Sequence, residues 1–286
     1  MPDIAWLNGK FMPLRKAQIS VMDRGFLFGD GIYEVIRTWG GRPIMVDEHL
    51  RRLVSSARMM ELSCPPMTRL RKLIAAGVRR AGYKETFIYI EITRGVEFPR
   101  GHVPQKNTSP TVFLGFWRFK GRPSGDFEKG IKALTVEDFR WGRCDIKSVN
   151  LLANCMGKMN ARKRGAKEVI FVHKGRLVEG GSSAVFVVKR GRLLIPGLSS
   201  VILPSLTRRL VLDTAAALGI KVAQRPVTVS QMMAADEVFL ASTTAEGVPV
   251  VRIDGRKIGS GKPGEITGRL RSEILAGREA KVRRRS

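Results

Sequence analysis

Apolar residues recur along this chain with two periods, and the switches between them divide it into elements. Residues 4–7 and 10–12 flank Asn8-Gly9, a strong type I′ hairpin signal, so two paired strands are expected there. Residues 23–31 are punctuated by glycine and read as a loop. Residues 32–39 alternate apolar and polar like a half-buried strand, and Gly40-Gly41 turns the chain into a second strand over 42–45. The period then becomes helical. Leu50, Leu53, Val54 and Ala57 share a face behind Asp47, a candidate N-cap. Leu70, Leu73, Ile74, Gly77 and Val78 repeat that spacing as far as Gly82, which closes the helix. Residues 87–93 and 111–117 return to strand character.

The stretch 120–125 is the best linker candidate. Beyond it the pattern predicts a strand at 131–136, a helix from about 148 to 164 stopped at Gly165, and strands at 168–173 and 184–188. Ser205 is a candidate cap for a helix over 206–218 that Gly219 stops. Strands at 238–241 and 248–253 and a short C-terminal helix follow. Strands and helices are mixed without strict βαβ alternation and without an internal repeat. That order predicts an α+β protein of two domains, residues 1–119 and 120–286.

A chain of 286 residues with 43% apolar content can bury a sizeable core and is not generally disordered. No apolar run approaches the roughly 20 residues that span a bilayer. The first residues, Met1 to Asn8, carry an acid where a signal peptide needs bases. Cys64, Cys144 and Cys155 form no CxxC pair and no even disulfide framework, which suits a reducing cytoplasm. The net charge of +26 raises nucleic-acid binding as the non-enzymatic alternative. The positive residues are spread along the chain, however, and only 281–285 is a true basic run. Aromatic residues are not interleaved with them as single-strand stacking requires. The expectation is solvated helix faces, with no nucleic acid and no membrane partner.

A few residues look out of place for a purely structural role. Lys147 lies between apolar neighbours where a strand hands over to a helix. A lysine held among apolar groups favours the neutral amine that Schiff-base chemistry needs, although a snorkelling lysine fits the same position. Glu179 stands between two apolar runs and beside glycines, where a carboxylate needs a cationic partner or merely caps a strand end. Leu206-Thr207 opens a helix, so its N–H groups and a hydroxyl suit phosphate or an ordinary cap. Ser242-Thr243-Thr244 adds hydroxyls after a strand. Pro99-Arg100-Gly101-His102 offers a bidentate fork and a second donor for a carboxylate. His49 and His173 have no partners at metal-ligand spacing, and no glycine-rich nucleotide loop, zinc pattern or serine elbow occurs, so no metal is expected.

Taken together, the segments Asp23-Arg24-Gly25, Phe28 to Glu34, His49 to Leu53, Asp145 to Ser148, Val178-Glu179-Gly180, Leu203 to Arg208 and Ser242 to Glu246 have a specific order and spacing. The chain resembles the fold-type IV pyridoxal-phosphate aminotransferases over nearly its whole length, from Trp6 to about Leu270. The resemblance implies a small N-terminal α/β domain, a larger C-terminal β-barrel-like domain with helices, pyridoxal 5′-phosphate as cofactor, and a homodimer. It assigns Lys147 as the lysine of the internal aldimine, which also moves the proton at Cα, and Glu179 as partner of the pyridine nitrogen. It assigns Arg52, Leu206, Thr207 and Thr243 to the phosphate, and Leu203 to the ring face. Arg100 and His102, completed by Tyr33, resemble the carboxylate trap of the D-amino acid transaminases. Residues 136–147 are closest to the same subgroup. The implied reaction is ping-pong transfer of the amino group of D-amino acids, such as D-alanine and D-glutamate, to 2-oxo acids. Branched-chain L-amino acid aminotransferase and aminodeoxychorismate lyase of the same fold are the alternatives. One departure is Gly181-Ser182-Ser183-Ala184, where the D-specific enzymes usually carry serine and asparagine.

Overall fold

In the computed structural model, which describes residues 3–283, Asn8 and Gly9 both take positive φ, 43° and 109°. A type I′ turn demands this, and β1 (Ile4–Leu7) folds back on β2 (Lys10–Pro13). The chain then divides into two compact units. The first holds residues 1–120 together with 146–150, the second residues 121–145 and 151–286.

In the first unit, α1 (Arg24–Phe28), β3 (Gly31–Trp39), β4 (Arg42–Pro43), α2 (Val46–Met59), α3 (Met67–Ala81), β5 (Thr86–Thr93) and β6 (Thr111–Arg118) follow the hairpin. The six-stranded antiparallel sheet has the order β2-β1-β6-β5-β3-β4. Its alternation decides which face is covered. Ile32, Ile36, Ile88, Ile90, Leu114 and Phe116 point to one side and pack with Leu50, Leu53, Leu70 and Ile74 of the two long helices. Gly77 allows α3 to lie that close, because a Cβ there would run into the Phe116 ring.

Several local expectations change here. Residues 24–28 are a short helix rather than loop, because the Asp23 carboxylate accepts the Gly25 N–H at 2.8 Å and Gly29 closes the turn. The strand expected over 42–45 stops at Pro43. Asp47 is not the N-cap of α2, which opens at Val46, but it lies with Glu48 in the first turn, where acids favour the helix dipole.

The second unit holds α4 (Gly125–Glu128), β7 (Ile131–Glu137), α5 (Leu152–Lys163), β8 (Glu168–His173), β9 (Arg176–Gly180), β10 (Ala184–Lys189) and β11 (Arg192–Ile195). It continues with α6 (Leu206–Ala217), β12 (Val222–Gln224), α7 (Val229–Met233), β13 (Glu237–Ser242), β14 (Ala245–Ile253), β15 (Arg256–Lys257) and α8 (Glu265–Arg283). Its sheet runs β12-β11-β10-β13-β14-β7-β8-β9, with β15 on β14. The chain just past β12 reaches the opposite edge. Leu177 N–H donates to Val227 O at 2.8 Å and Val229 N–H to Gly175 O at 2.9 Å. This seam curls the sheet into a barrel-like form.

Both faces of the sheet are buried, so its strands read as near-continuous apolar runs. Val185 and Val187 of β10 and Ile170 and Val172 of β8 fill the inside. Phe186 and Val188 pack outward with residues of α6 and α8, and Val169 and Phe171 with Ala161 of α5. The mixture of strands and helices is the α+β class that the order of elements predicts. The C-terminal helix is not short but 19 residues long. Arg284 and Arg285 of the basic tail lie outside the described residues.

A single cut between residues 119 and 120 would leave 146–150 in the second unit. Long-range pairing moves it instead. Tyr33 N–H donates to Lys147 O at 2.9 Å and Val149 N–H to Gly31 O at 3.0 Å, so this segment is extended along β3. For the same reason α5 begins at Leu152 and not near Ser148.

Candidate active site

Lys147 belongs to that extended excursion. Its carbonyl accepts the Tyr33 N–H, and its own N–H donates to Ser56 Oγ of α2 at 3.1 Å. The backbone is thus clamped on both sides, and the amine Nζ lies 4.1 Å from the centre of the Tyr33 ring. Among the described residues no carboxylate forms an ion pair with it. Tyr33 in turn stacks on Tyr89 at 5.7 Å, and the Tyr89 hydroxyl donates to Glu91 at 2.7 Å. Burial is the largest cause raising both the Tyr89 phenol and the Glu91 carboxyl above their ordinary pKa values.

Arg52, on α2, is gripped by Glu34 of β3. Its Nε donates to Oε1 at 2.6 Å and its Nη2 to Oε2 at 2.9 Å, while His49 Nδ1 stands 2.7 Å from the same Oε2. Glu34 is wholly buried. Burial opposes its charge, but Arg52 and His49 outweigh that and hold its carboxyl far below the usual range. The sequence pattern alone assigns Glu34 no part and His49 no chemistry. The signal was present, since Glu34 takes an inward register position between Ile32 and Ile36, where a carboxylate must find a cation.

Arg100 and His102 are exposed, yet their loop is tied down from beneath. The buried Arg24 donates to Gly101 O at 2.7 Å, to His102 O at 2.8 Å and to Glu97 at 3.0 Å. The Phe28 ring lies 4.4 Å from the Arg100 guanidinium and 5.4 Å from the His102 ring. Among the described residues, no hydrogen bond or ring contact joins Arg100 or His102 to Tyr33.

The remaining candidates lie in the second unit. Glu179 is on β9, a strand the periodicity did not reveal. Its Oε1 accepts from Arg140 Nη1, and its Oε2 accepts the Leu203 N–H at 3.2 Å. Arg140 also binds Asp138 and the Val201 carbonyl. Burial works against the charge of Arg140, but Asp138 and Glu179 more than offset it and raise the guanidinium pKa. Neither Arg140 nor Asp138 was singled out from the sequence. Their partners are remote in sequence, and only the quoted segment 136–147 hinted at them.

Leu206 and Thr207 open α6. The Ser205 hydroxyl caps Arg208 N–H at 3.2 Å, and the first N–H groups of a helix have no intrahelical partner. Thr207 is buried, and the Arg208 guanidinium turns away to Pro196 O and Gln224. Thr243 lies in the turn between β13 and β14, beside Ser242 and Thr244, whose hydroxyls are 3.3 Å apart. In the departing segment, Asn154 donates to Gly181 O at 2.9 Å and Lys158 to Ser182 Oγ at 2.7 Å.

The chain belongs to the class IV aminotransferases, whose family model matches residues 31–253. It is therefore an aminotransferase. It is 36% identical to a D-alanine aminotransferase of Bacillus licheniformis, over 93% of this chain and 94% of the relative. With a D-alanine aminotransferase of Staphylococcus haemolyticus the identity is 39% over the same shares, 93% and 94%. Among solved structures it resembles the branched-chain amino acid aminotransferase of Escherichia coli, with a TM-score of 0.90 and 26% identity over 96% of this chain and 94% of that one. The branched-chain aminotransferase of Thermoproteus uzoniensis, solved with norvaline, gives 0.86 and 27% over 97% and 96%.

Proposed function

We propose that the protein is a pyridoxal-phosphate-dependent D-amino acid transaminase that takes its amino group from donors such as D-alanine and passes it to a 2-oxo acid in two half-reactions. The donor sets fit the cofactor. Lys147 offers an amine that forms no ion pair with a carboxylate among the described residues, Glu179 a fixed carboxylate, and α6 a helix N-terminus with a buried hydroxyl. Lys147 would hold the aldehyde carbon. Glu179 would hold the ring nitrogen, and Leu203 the ring face. Leu206, Thr207, Thr243 and Arg52 would take the phosphate, where N–H dipoles and a guanidinium suit a dianion. When bound, pyridoxal phosphate supplies an electron sink for charge developing at Cα and carries the amino group between half-reactions.

The chain's own residues do the rest. Lys147 acts as acid and base at Cα, held at its backbone by Tyr33 and Ser56. Glu34 orients Arg52 by two parallel contacts. Arg100 and His102, with Tyr33, bind the substrate carboxylate. Arg24 orders that loop before substrate arrives, which lowers the entropy cost of binding.

The observation that carries the D reading is this tethered Arg100–His102 loop. The curated relatives named D-alanine aminotransferase support it, whereas the branched-chain structures share a fold that serves both hands and are less similar in sequence. The test is a panel of paired D and L donors with pyruvate or 2-oxoglutarate as acceptor. Efficient use of L-leucine or L-valine with D-alanine and D-glutamate inert would promote the branched-chain reading. Release of pyruvate from aminodeoxychorismate without amine transfer would favour the lyase.

The reading includes a homodimer in the cytoplasm. Free Cys64, Cys144 and Cys155 suit a reducing compartment. Exposed Leu152, Met156 and Met159 recur at helical spacing on α5, a face suited to a second copy. Sedimentation of the holoenzyme tests the assembly. Among the described residues no helix is long and apolar enough to cross a membrane, and no group of His, Cys, Asp or Glu is placed to hold a metal ion.

A further inference from the structure

Glu179 is served by a cation that is itself shared. The Arg140 backbone N–H and Nε donate to Asp138 Oδ1 at 3.0 and 2.9 Å, and Nη2 donates to Asp138 Oδ2 at 2.8 Å. Nη2 also reaches Val201 O at 3.1 Å, which leaves Nη1 for Glu179. The guanidinium lies 4.6 Å from the centre of the Phe171 ring, and the side chains of Arg140 and Asp138 are only 3% and 8% exposed.

Other titratable groups lie close by. The Cys144 thiol is pushed up to about 11, chiefly by burial, and so stays neutral near pH 7. Asp145 is occupied by Arg143 at 3.0 Å. One cation therefore stands between two carboxylates, and it is bound more fully to the one on its own loop.

A carboxylate that faces an unshared guanidinium is a poor base, since a nearby positive charge favours its ionised form. A carboxylate without a guanidinium keeps its basicity but loses its fixed direction. We infer that Asp138 and Arg140 are a positioning pair, in which Arg140 fixes the Glu179 carboxylate while Asp138 draws off part of the Arg140 charge, so that Glu179 can still hold a proton on the ring nitrogen of the cofactor. The inference rests on the pyridoxal-phosphate reading above. It makes two neighbours of one network act on one proton in opposite directions, which damage to the fold cannot imitate.

The test is 15N NMR of holoenzyme reconstituted with ring-15N pyridoxal phosphate, titrated with pH, together with the cofactor Kd. In Asp138→Asn the ring nitrogen should lose its proton at lower pH than in the unmodified protein, by about one pH unit, a tenfold change in proton distribution. In Arg140→Met the midpoint should move the other way, and the cofactor should bind on the order of ten- to a hundredfold more weakly, as for a lost charge-assisted contact. Arg140→Lys should recover part of that affinity. Should Arg140→Met fail to fold, Asp138→Asn and Asp138→Ser carry the test together, both lowering the midpoint. Cofactor bound with unchanged midpoints, or midpoints displaced the same way by Asp138→Asn and Arg140→Met, overturns the positioning pair. Failure of the unmodified protein to bind pyridoxal phosphate overturns the functional reading itself.

Discussion

Each unit of the molecule builds a carboxylate–arginine pair, and the two pairs are built the opposite way round. In the first unit Glu34 is wholly buried and Arg52 is the member that reaches the surface, with 10% of its side chain exposed. The carboxylate is the anchor and the guanidinium is presented. In the second unit Arg140 is the buried member at 3%, and Glu179 is the more exposed at 12%. There the guanidinium is the anchor and the carboxylate is presented. On the proposed pyridoxal-phosphate reading the same chemical pair would serve two ends, an oriented cation for an anion and an oriented anion for a protonated ring. In both cases the third partner, His49 or Asp138, sits on the anchoring side.

The largest effect is expected at Lys147, the proposed reacting group, which belongs to neither pair. Lys147→Ala should abolish the visible band of the holoenzyme and lower transamination at least about a thousandfold, since it removes both covalent attachment and proton transfer. Steady-state activity near normal in that variant would remove Lys147 from its role. Next comes the presented carboxylate. Glu179→Gln should keep the cofactor but cut kcat by about a hundred- to a thousandfold, the scale of losing one preorganised electrostatic partner. Because Glu179 is presented rather than buried as an anchor, the melting temperature of the apoprotein should change little. A large fall in stability with intact turnover would reverse the comparison.

Glu34→Gln should behave in the contrary way. It leaves Arg52 and His49 facing a neutral amide inside the first unit, and breaking one side of a buried pair costs about 3–5 kcal/mol. Chemical denaturation near pH 7 measures it. The pH dependence has a definite sign. The folded carboxyl titrates well below its unfolded value, so its stabilisation is complete above about pH 4.3 and is lost as the pH falls through the folded value. The stability gap between the unmodified protein and Glu34→Gln should therefore be constant in neutral solution and narrow in acid. A gap that widens below about pH 4 would show that Glu34 is not the ionised anchor.

Much of this was legible in the sequence because it is local. The Asn8-Gly9 turn, the amphipathic helices ending at Gly82 and Gly219, and the cap at Ser205 each depend on a few adjacent residues. The order of mixed elements was enough to predict the α+β class. What escaped depends on remote partners. The local pattern predicts a helix from about residue 148, but β3 captures residues 146–150 as an extended segment. Strand β9 was missed because its alternation is masked where both faces are buried, and the segment after β12 that seals it lies some fifty residues away. Lys147 and Glu179 stood out because a charge between apolar runs is costly. Their supports, Ser56, Arg140 and Asp138, carry no such mark, since a serine on a helix or a charged pair in a loop is ordinary until its contacts are known. Glu34 was the one support that sequence alone could have exposed, by its place among inward isoleucines.

The smallest expected effect concerns a third arginine that, among the described residues, neither anchors nor is anchored by a carboxylate. Arg100 is exposed, and its guanidinium rests 4.4 Å from the centre of the Phe28 ring. Its loop, not its side chain, is held, through the two carbonyls that Arg24 engages. Removing it breaks no buried pair, so Arg100→Ala should fold with normal stability. If the guanidinium binds the substrate carboxylate, one charge-assisted hydrogen bond worth about 1.5–3 kcal/mol is lost. That corresponds to a fall on the order of ten- to a hundredfold in kcat/KM. The loss should fall on amino acids, mostly in KM, and spare primary amines, which have no carboxylate to hold. Arg24→Met should produce a similar loss by a different route, releasing Gly101 and His102 while leaving the Arg100 charge in place, and it should also lower stability because Arg24 is buried with Glu97. An Arg100→Ala protein that loses amines and amino acids alike would place the residue in cofactor binding or in folding. One that keeps full activity on D-alanine would leave the carboxylate to other donors and remove the observation on which the D reading chiefly stands.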